Sequence, residues 1–317
     1  MNLPKPQATT EKKRRCSRRW LWATMQGFRH FPLQAGRFLL LIMMLPQLAG
    51  AATTVFFPPP ESPQDHRSDY QFALLQLALT RAGGEFYPKR SNEAMPQSRA
   101  LEELMTCSRN IQVVASMTSI DREARLRPIR IPIMRGLIGW RIPLVAANRP
   151  DLLEHVKTRA DLKNFTAGQG PDWPDTEILR GNGLSVNAGG QYQSLFKMLA
   201  RHRFDYFPRS AIEIWPEIDE HIAKGLVADT HIVIHYPAAV YFFVCPHDER
   251  LAAALRSGLE KAVADGSFDR LFTLYFKKTL KRADIAHRTV IELNNPILPP
   301  ETPLQRKELW LRPLRTF

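Results

Sequence analysis

The segment that most limits what this chain can become is Phe38 to Ala52, FLLLIMMLPQLAGAA, because it decides how much polypeptide is left to fold and in which compartment. It follows a stretch crowded with lysine and arginine and ends in small residues, the basic, apolar, small-residue order of a secretion signal. Ala49 and Ala51 supply small side chains at the third-last and last positions, so cleavage is expected between Ala51 and Ala52. A retained membrane anchor is the competing reading. The uncharged run between Arg37 and Glu61 is interrupted by Pro46, Gln47, Thr53 and Thr54, and its apolar part falls short of the roughly 20 residues that cross a bilayer. Ser17-Arg18-Arg19 hints at a twin-arginine signal, but the polar stretch Gln26 to Arg37 parts it from the apolar core, so Sec export is the better fit.

Export also explains the charge. Residues 1 to 51 carry nine Lys/Arg against Glu11 alone, a net of +8, so the +13 of the whole chain falls to +5 after cleavage. A nucleic-acid partner, which needs a basic patch on the folded domain, loses its support. No lipobox cysteine stands at the cleavage site, so lipid attachment is not expected. Cys16 leaves with the signal. Cys107 and Cys245 remain, with no spacing or neighbouring histidines that suggest a metal site. An oxidising compartment permits a bridge between them, but two small buried thiols is the plainer expectation.

The rest of the chain alternates strand and helix. Thr53 to Phe57 is a β-branched and aromatic run ended by prolines, and Asp69 to Arg81 is an apolar segment closed by Gly83-Gly84, a strand and a buried helix. Glu85 to Tyr87, the periodic Arg99 to Cys107 and the run Ile111 to Ala115 repeat the unit. From Pro150 a second unit follows. Asp151 to Arg159 reads as helix, Phe165 to Ala167 as strand, and Trp173 to Arg180 as a helix opened by Asp172 with Pro174 in its first turn. Tyr192, Leu195, Phe196 and Leu199 lie at helical spacing before a strand at Phe204 to Phe207. Val240 to Val244 is a buried-type strand, and Glu249 to Ala264 and Ser267 to Leu280 are helices with apolar stripes along Leu251, Leu255, Leu259, Val263 and along Leu271, Phe272, Tyr275, Phe276. The proline-rich tail from Asn294 is expected to lie extended over a lobe, anchored by Leu298, Trp310 and Leu311. Strands alternating with helices imply mostly parallel sheets covered on both faces.

Four stretches in order carry a resemblance. Ala115 to Glu123 (ASMTSIDRE) looks like an "MT-x-T-x-x-R" run. Asp161 to Gly170 (DLKNFTAGQG) is similar to "DLKGKKVGVQ-x-GS", Arg203 to Tyr206 (RFDY) stands where "GRVDAV" is usual, and Ala262 to Asp269 (AVADGSFD) is similar to "ALKELKADGTYD". Together they resemble the family 3 extracellular solute-binding proteins over nearly all of the mature chain. The resemblance implies an α/β, two-lobed type II periplasmic binding fold with the ligand cleft between lobes. It also implies an organisation of signal peptide 1–51, lobe one from 52–145 plus 240–290, lobe two from 146–239, and a tail from 291–317. The crossings between lobes would fall near Pro143 to Asn148 and Tyr236 to Ala239, and ligand would sit where strand ends and helix starts converge.

By the same resemblance Arg122 matches the arginine that holds a ligand carboxylate and Ser119 the threonine that donates beside it, a use that suits the two-pronged guanidinium; an exposed arginine on a basic loop, among Arg125, Arg127 and Arg130, is the alternative. Gly168, Gln169, Gly170 and Asp172 precede a helix start, where free amides attract anions, or else form a plain turn. Trp173 either walls the cleft or packs on the hinge. The aspartate that takes an amino-acid ammonium group is missing after Asp205. Arg209 stands in that stretch, favouring a second acidic group on the ligand if it faces the cleft and merely solvated if it faces water, with Glu213 as a substitute acid. Gln97 and Arg99, at a helix start, point toward the expected cleft.

The expected function is capture of a small polar, amino-acid-like or anionic solute in the periplasm by a monomer, without cofactor or metal, for an ABC permease. Alternatives are a membrane sensor's ligand-presenting protein and an enzyme on the same fold, such as a cyclohexadienyl dehydratase or the binding-like half of a lytic transglycosylase. Histidines 231, 235 and 247 form no ligand spacing, and Asp172, Asp175 and Glu177 read as first-turn acids of a helix rather than as an acid-base set. The export reading is checked by mass spectrometry of the protein recovered from a periplasmic extract, which should begin at Ala52; a chain still carrying residues 1 to 51 would overturn it.

Overall fold

The protein is described from a computed structural model over residues 53–60, 66, 68–219 and 223–311; the expected signal lies outside these residues. In chain order the elements are β1 (Thr53–Phe57), α1 (Asp69–Arg81), β2 (Phe86–Arg90), α2 (Gln97–Met105), β3 (Val113–Met117), α3 (Ile120–Arg125) and β4 (Arg127–Ile129). Then come β5 (Trp140–Ala146), α4 (Arg159–Leu162), β6 (Thr166–Gly168), α5 (Pro174–Gly181), β7 (Ser185–Asn187), α6 (Tyr192–Ala200), β8 (Phe207–Ser210), α7 (Ile214–Asp219), β9 (Leu226–Ala228) and β10 (Ile232–His235). β11 (Val240–Val244), α8 (Glu249–Ala264), α9 (Ser267–Ala283) and β12 (Thr289–Glu292) complete the order.

Buried strands nucleate two sets of sheets. In the first, β1 pairs with β2 in parallel, and β11 lies between β3 and β4, antiparallel to both. Every residue of β3 and β11 is buried, as continuous apolar runs require. Helices α1, α8 and α9 pack on this set. Tyr70 of α1 meets Phe272, Tyr275 and Phe276 of α9 edge-on, and its hydroxyl donates to the Ile133 carbonyl at 2.8 Å. Helices α1 and α8 touch so closely that a Cβ on Gly258 would run into the Ala78 carbonyl. In the second set the order is β12-β10-β5-β8, with β9 also on β5 and a separate parallel pair β6-β7. A parallel bridge between Ala167 and Tyr206 links the two groups, so the chain serves β6 at Tyr206 and β5 one residue later.

The two-lobed α/β architecture is the expected one, but its strands are mixed in sense. β1-β2, β6-β7 and β10-β12 run parallel, whereas β11 and β5 run antiparallel to their other neighbours. The crossing strands cause this: a chain that leaves one sheet and returns to it enters each sheet in the opposite direction. Three local expectations also need correcting. Asp151 to Arg159 is a series of turns, closed by bonds such as Glu154 N to Asp151 O at 3.1 Å. Helix α4 starts only at Arg159, because Thr158 and Asp161 form a reciprocal capping box there. The strand expected at Phe204 to Phe207 begins at Phe207 and includes Pro208, opposite Pro143. The residues at the junction of lobe one and tail form β12, paired to β10.

The tail then runs on as a strap. Asn294 and Asn182, at the end of α5, exchange two hydrogen bonds of 3.0 and 2.7 Å. Asn295 Nδ2 donates to the Pro237 carbonyl at 2.8 Å, and Ile120 N donates to the Ile297 carbonyl at 3.0 Å. Arg306 binds Glu260 of α8, and Trp310 lies on Gly136. Trp310 and Leu311 pack on the core as expected, whereas Leu309 is the fully buried residue of this stretch.

Cys107 and Cys245 are bridged, with Cα atoms 5.1 Å apart and a sequence separation of 138. Two buried thiols are therefore not the outcome; Cys107 is exposed, just after α2, and Cys245 follows β11. Closing so long a loop stabilises by about 4 kcal/mol through the unfolded chain. Unfolded, non-reduced protein should show no thiol reactive toward a maleimide at either position, and reduction should lower the melting temperature by several degrees.

Candidate functional site

Strand β3 delivers Arg122. Thr118 N donates to the Ala239 carbonyl at 2.8 Å, and Ser119 Oγ accepts from Arg122 N at 3.2 Å, capping the short helix α3. The guanidinium folds back so that Nη1 donates to Ser116 Oγ at 2.8 Å and to the Met117 carbonyl at 2.7 Å. Arg122 is 9% exposed, which removes the reading of a solvated loop arginine. Burial draws its pKa down to about 10, against the upward pull of Asp175, Asp121 and Asp172, so it stays cationic at neutral pH. No carboxylate among the described residues lies within 4.0 Å of it. Its acidic neighbours are engaged elsewhere: Asp121 with Arg125, and Glu123 with Arg130 at 2.6 Å.

Asp172 and Asp175, beside and within the first turn of α5, act electrostatically on Arg122 of α3. Gly168 ends β6, and the Gly170 carbonyl accepts from Thr176 Oγ1 at 2.7 Å and from Trp173 N at 3.3 Å. Trp173, not Asp172, occupies the position before the helix, without a side-chain cap, and Asp172 is exposed. Gln169 is 1% exposed, and neither its Oε1 nor its Nε2 has a hydrogen-bond partner among the described residues. A buried amide of this kind needs a water or ligand partner.

Around Asp175 the structure assembles residues that the sequence reading passed over as site residues. Arg141, 4% exposed within the wholly buried β5, ion-pairs with Asp175 at 2.5 Å. Arg141 Nε donates to the Tyr236 hydroxyl at 3.0 Å, and that hydroxyl donates in turn to Asp175. Burial works against the charged Arg141, but Asp175, Tyr236 and Glu213 outweigh it and hold its pKa above the ordinary value; burial pushes the Tyr236 hydroxyl well up. A lone charge in WRIPLVA was the available signal, since a buried arginine requires a partner.

Arg209 faces neither water nor an open cleft. Its Nε and Nη2 bind Glu217 at 2.9 and 2.6 Å, and its guanidinium lies 4.9 to 5.5 Å from the ring centres of Phe207, Trp173 and Tyr192. Tyr192 donates to Glu217 at 2.8 Å. Trp173 stacks on Phe207 and so covers Arg209. Glu213 Oε2 stands 3.4 Å from both Arg141 and Arg209, bridging the two arginines. Arg99 is apart from these groups, exposed on α2 with Gln97 and paired to Glu93 at 3.4 Å. His235 stacks on Trp140 and bonds Glu292 at 2.7 Å. Among the described residues no cluster of His, Cys, Asp and Glu is placed to hold a metal ion, and no helix is long and apolar enough to cross a membrane.

No family model and no curated protein matches the sequence. Solved structures do match in fold. An ancestral arginine-binding protein bound to arginine superposes with a TM-score of 0.52 at 15% identity, over 71% of this chain and 98% of its own. A periplasmic His/Glu/Gln/Arg/opine family-binding protein from Silicibacter pomeroyi, in complex with lysine, gives 0.53 at 10% identity, over 71% and 97%. A histidine kinase sensor domain with similarity to periplasmic binding proteins gives 0.51 at 15%, over 71% and 96%. The chain thus has the two-lobed fold of periplasmic binding proteins.

The buried pair supplies a stability test. Asp175→Asn takes from Arg141 its closer counterion, leaving only the shared Glu213 at 3.4 Å, and should cost about 3 kcal/mol in urea unfolding, whereas the double replacement Arg141→Met, Asp175→Leu should recover most of that loss.

Proposed function

We propose that the chain is a periplasmic solute-binding protein that captures a small polar solute by closing two lobes on it, lobe one from 52–145 plus 240–290 and lobe two from 146–239, with delivery to an ABC permease. The observation that carries this reading is Arg122. A cation buried to this degree ordinarily sits against a carboxylate, and here none among the described residues takes that place, while Ser116 and Met117 fix Nη1 and thereby aim the rest of the group. An anionic group on the solute would provide the missing counterion through a charge-assisted contact. The unpaired amide of Gln169, next to Gly168 and Gly170, would serve an uncharged polar group of the solute. Capture would need the lobes to part and close about the crossings at β5 and at Tyr236 to Ala239, a hinge motion. The resemblance of the sensor domain supports a second reading, presentation of the bound solute to a membrane receptor. Permease and ATPase genes beside this one would favour uptake, and a histidine kinase gene would favour sensing.

Both readings share one test. In a thermal-shift screen of amino acids, dicarboxylates and small peptides, a solute present at about 100 times its Kd should stabilise the protein by about 2.7 kcal/mol. The shift should vanish in Arg122→Ala. No response to any polar solute, or the same response in the variant, overturns the proposal.

A further inference from the structure

At the site just proposed, acids and bases are not equally available. Asp175 holds Arg141 at 2.5 Å and accepts from Tyr236. Glu217 holds Arg209 through two of its nitrogens and accepts from Tyr192. Glu213 lies 3.4 Å from each of those arginines, Asp121 pairs with Arg125, and Glu123 is divided between Thr118 at 2.6 Å and Arg130. Asp172 is left, and it is exposed, where an ion pair is worth little. On the basic side, Arg122 Nε and Nη2 make no hydrogen bond to the described residues, and neither atom is sealed from solvent.

We infer that the solute is an organic carboxylate lacking an ammonium group, bound through the Nε and Nη2 edge of Arg122, and that amino acids are poor ligands. The inference rests on the capture reading. An ammonium group brought to Asp175 or Glu217 must displace a buried guanidinium from its closest counterion and leave it only Glu213, 3.4 Å away and shared between both arginines, a costly change in a protein interior. Remaining beside the intact pairs, it would meet carboxylates whose oxygens are already taken up by Arg141, Arg209, Tyr236 and Tyr192. A carboxylate displaces nothing, because the free edge of Arg122 presents two parallel N–H groups at the spacing that a carboxylate accepts. Arg209 illustrates the exclusion: its own guanidinium already fills the acidic, aromatic-walled niche of Glu217, Trp173, Tyr192 and Phe207 that an external cation would otherwise enter.

The test is isothermal titration of the exported, disulfide-bonded protein with matched pairs: phenylalanine against 3-phenylpropionate, leucine against 4-methylpentanoate, glutamate against glutarate. In at least one pair the deaminated acid should bind 10-fold or more tightly than its amino acid, and Arg122→Lys, which keeps the charge and loses the fork, should weaken it. An amino acid that binds as tightly as its deaminated partner, with binding lost in Arg122→Lys, overturns the ligand class and leaves the capture reading standing. Failure of every compound in both series overturns the capture reading and this inference together. The wild-type comparison within each pair requires no variant to fold.

Discussion

A guanidinium taken out of water in the middle of a buried strand dictates much of what surrounds it. Arg141 cannot remain charged there without partners, and they arrive from three directions: the acids Asp175 from the first turn of α5 and Glu213 from the loop after β8, and the neutral Tyr236 hydroxyl from the segment where the chain turns back. Each contact ties its element to β5. The first turn of α5 has no side-chain cap, so its ion pair stands in for one. Gly139 lets the two crossing segments meet, since a Cβ at that position would collide with the Tyr236 carbonyl. Through Asp175 the same network reaches Arg122, on which Asp175 is the foremost upward influence. The electrostatics of the site are therefore set by residues that are not themselves open to a solute.

Much of the scaffold was legible because it is encoded locally. The stripe Leu251, Leu255, Leu259 is buried in α8 as its spacing requires, and the unbroken apolar run of β11 forms a strand buried along its whole length. The turns at Asp151 to Arg159 carry an equally helical pattern, but the capping box at Thr158 makes Arg159 a beginning rather than an end. Strand sense escaped the sequence because an apolar run records how deeply it is buried and not which neighbour it finds. The site divides in the same way. Arg122 and Ser119 stand out in their run of residues, but the run suggests a ligand donor at Ser119 and does not disclose that it caps α3. Glu217 could not be linked to Arg209, because nothing in the stretch between them signals that the chain will fold the acid back onto the base. Arg141 gave a signal, a lone charge among apolar neighbours, whose partner only the fold could name.

The tail belongs with the hinge. It contacts the end of α5, the carbonyl of Pro237 in the second crossing, the first residue of α3 and then α8. In the proposed closure these bonds would add a third tie beside the two crossings, close to the line about which the halves would turn. A tie near a hinge line resists sliding and twisting far more than rotation, so it leaves closure open as a motion while narrowing the paths it can follow.

The bridge between Cys107 and Cys245 spans all of β5 to β10, and no cysteine lies between them in sequence. Exported as proposed, amino end first through a translocation channel, the chain would present Cys107 long before its partner. During that interval the intervening segment enters the oxidising space as one continuous stretch and can assemble by itself. Cys245 then arrives on the strand that completes the first sheet. On that route the covalent bond would close only after the whole inserted half had been delivered, so its formation could not hinder that half from assembling.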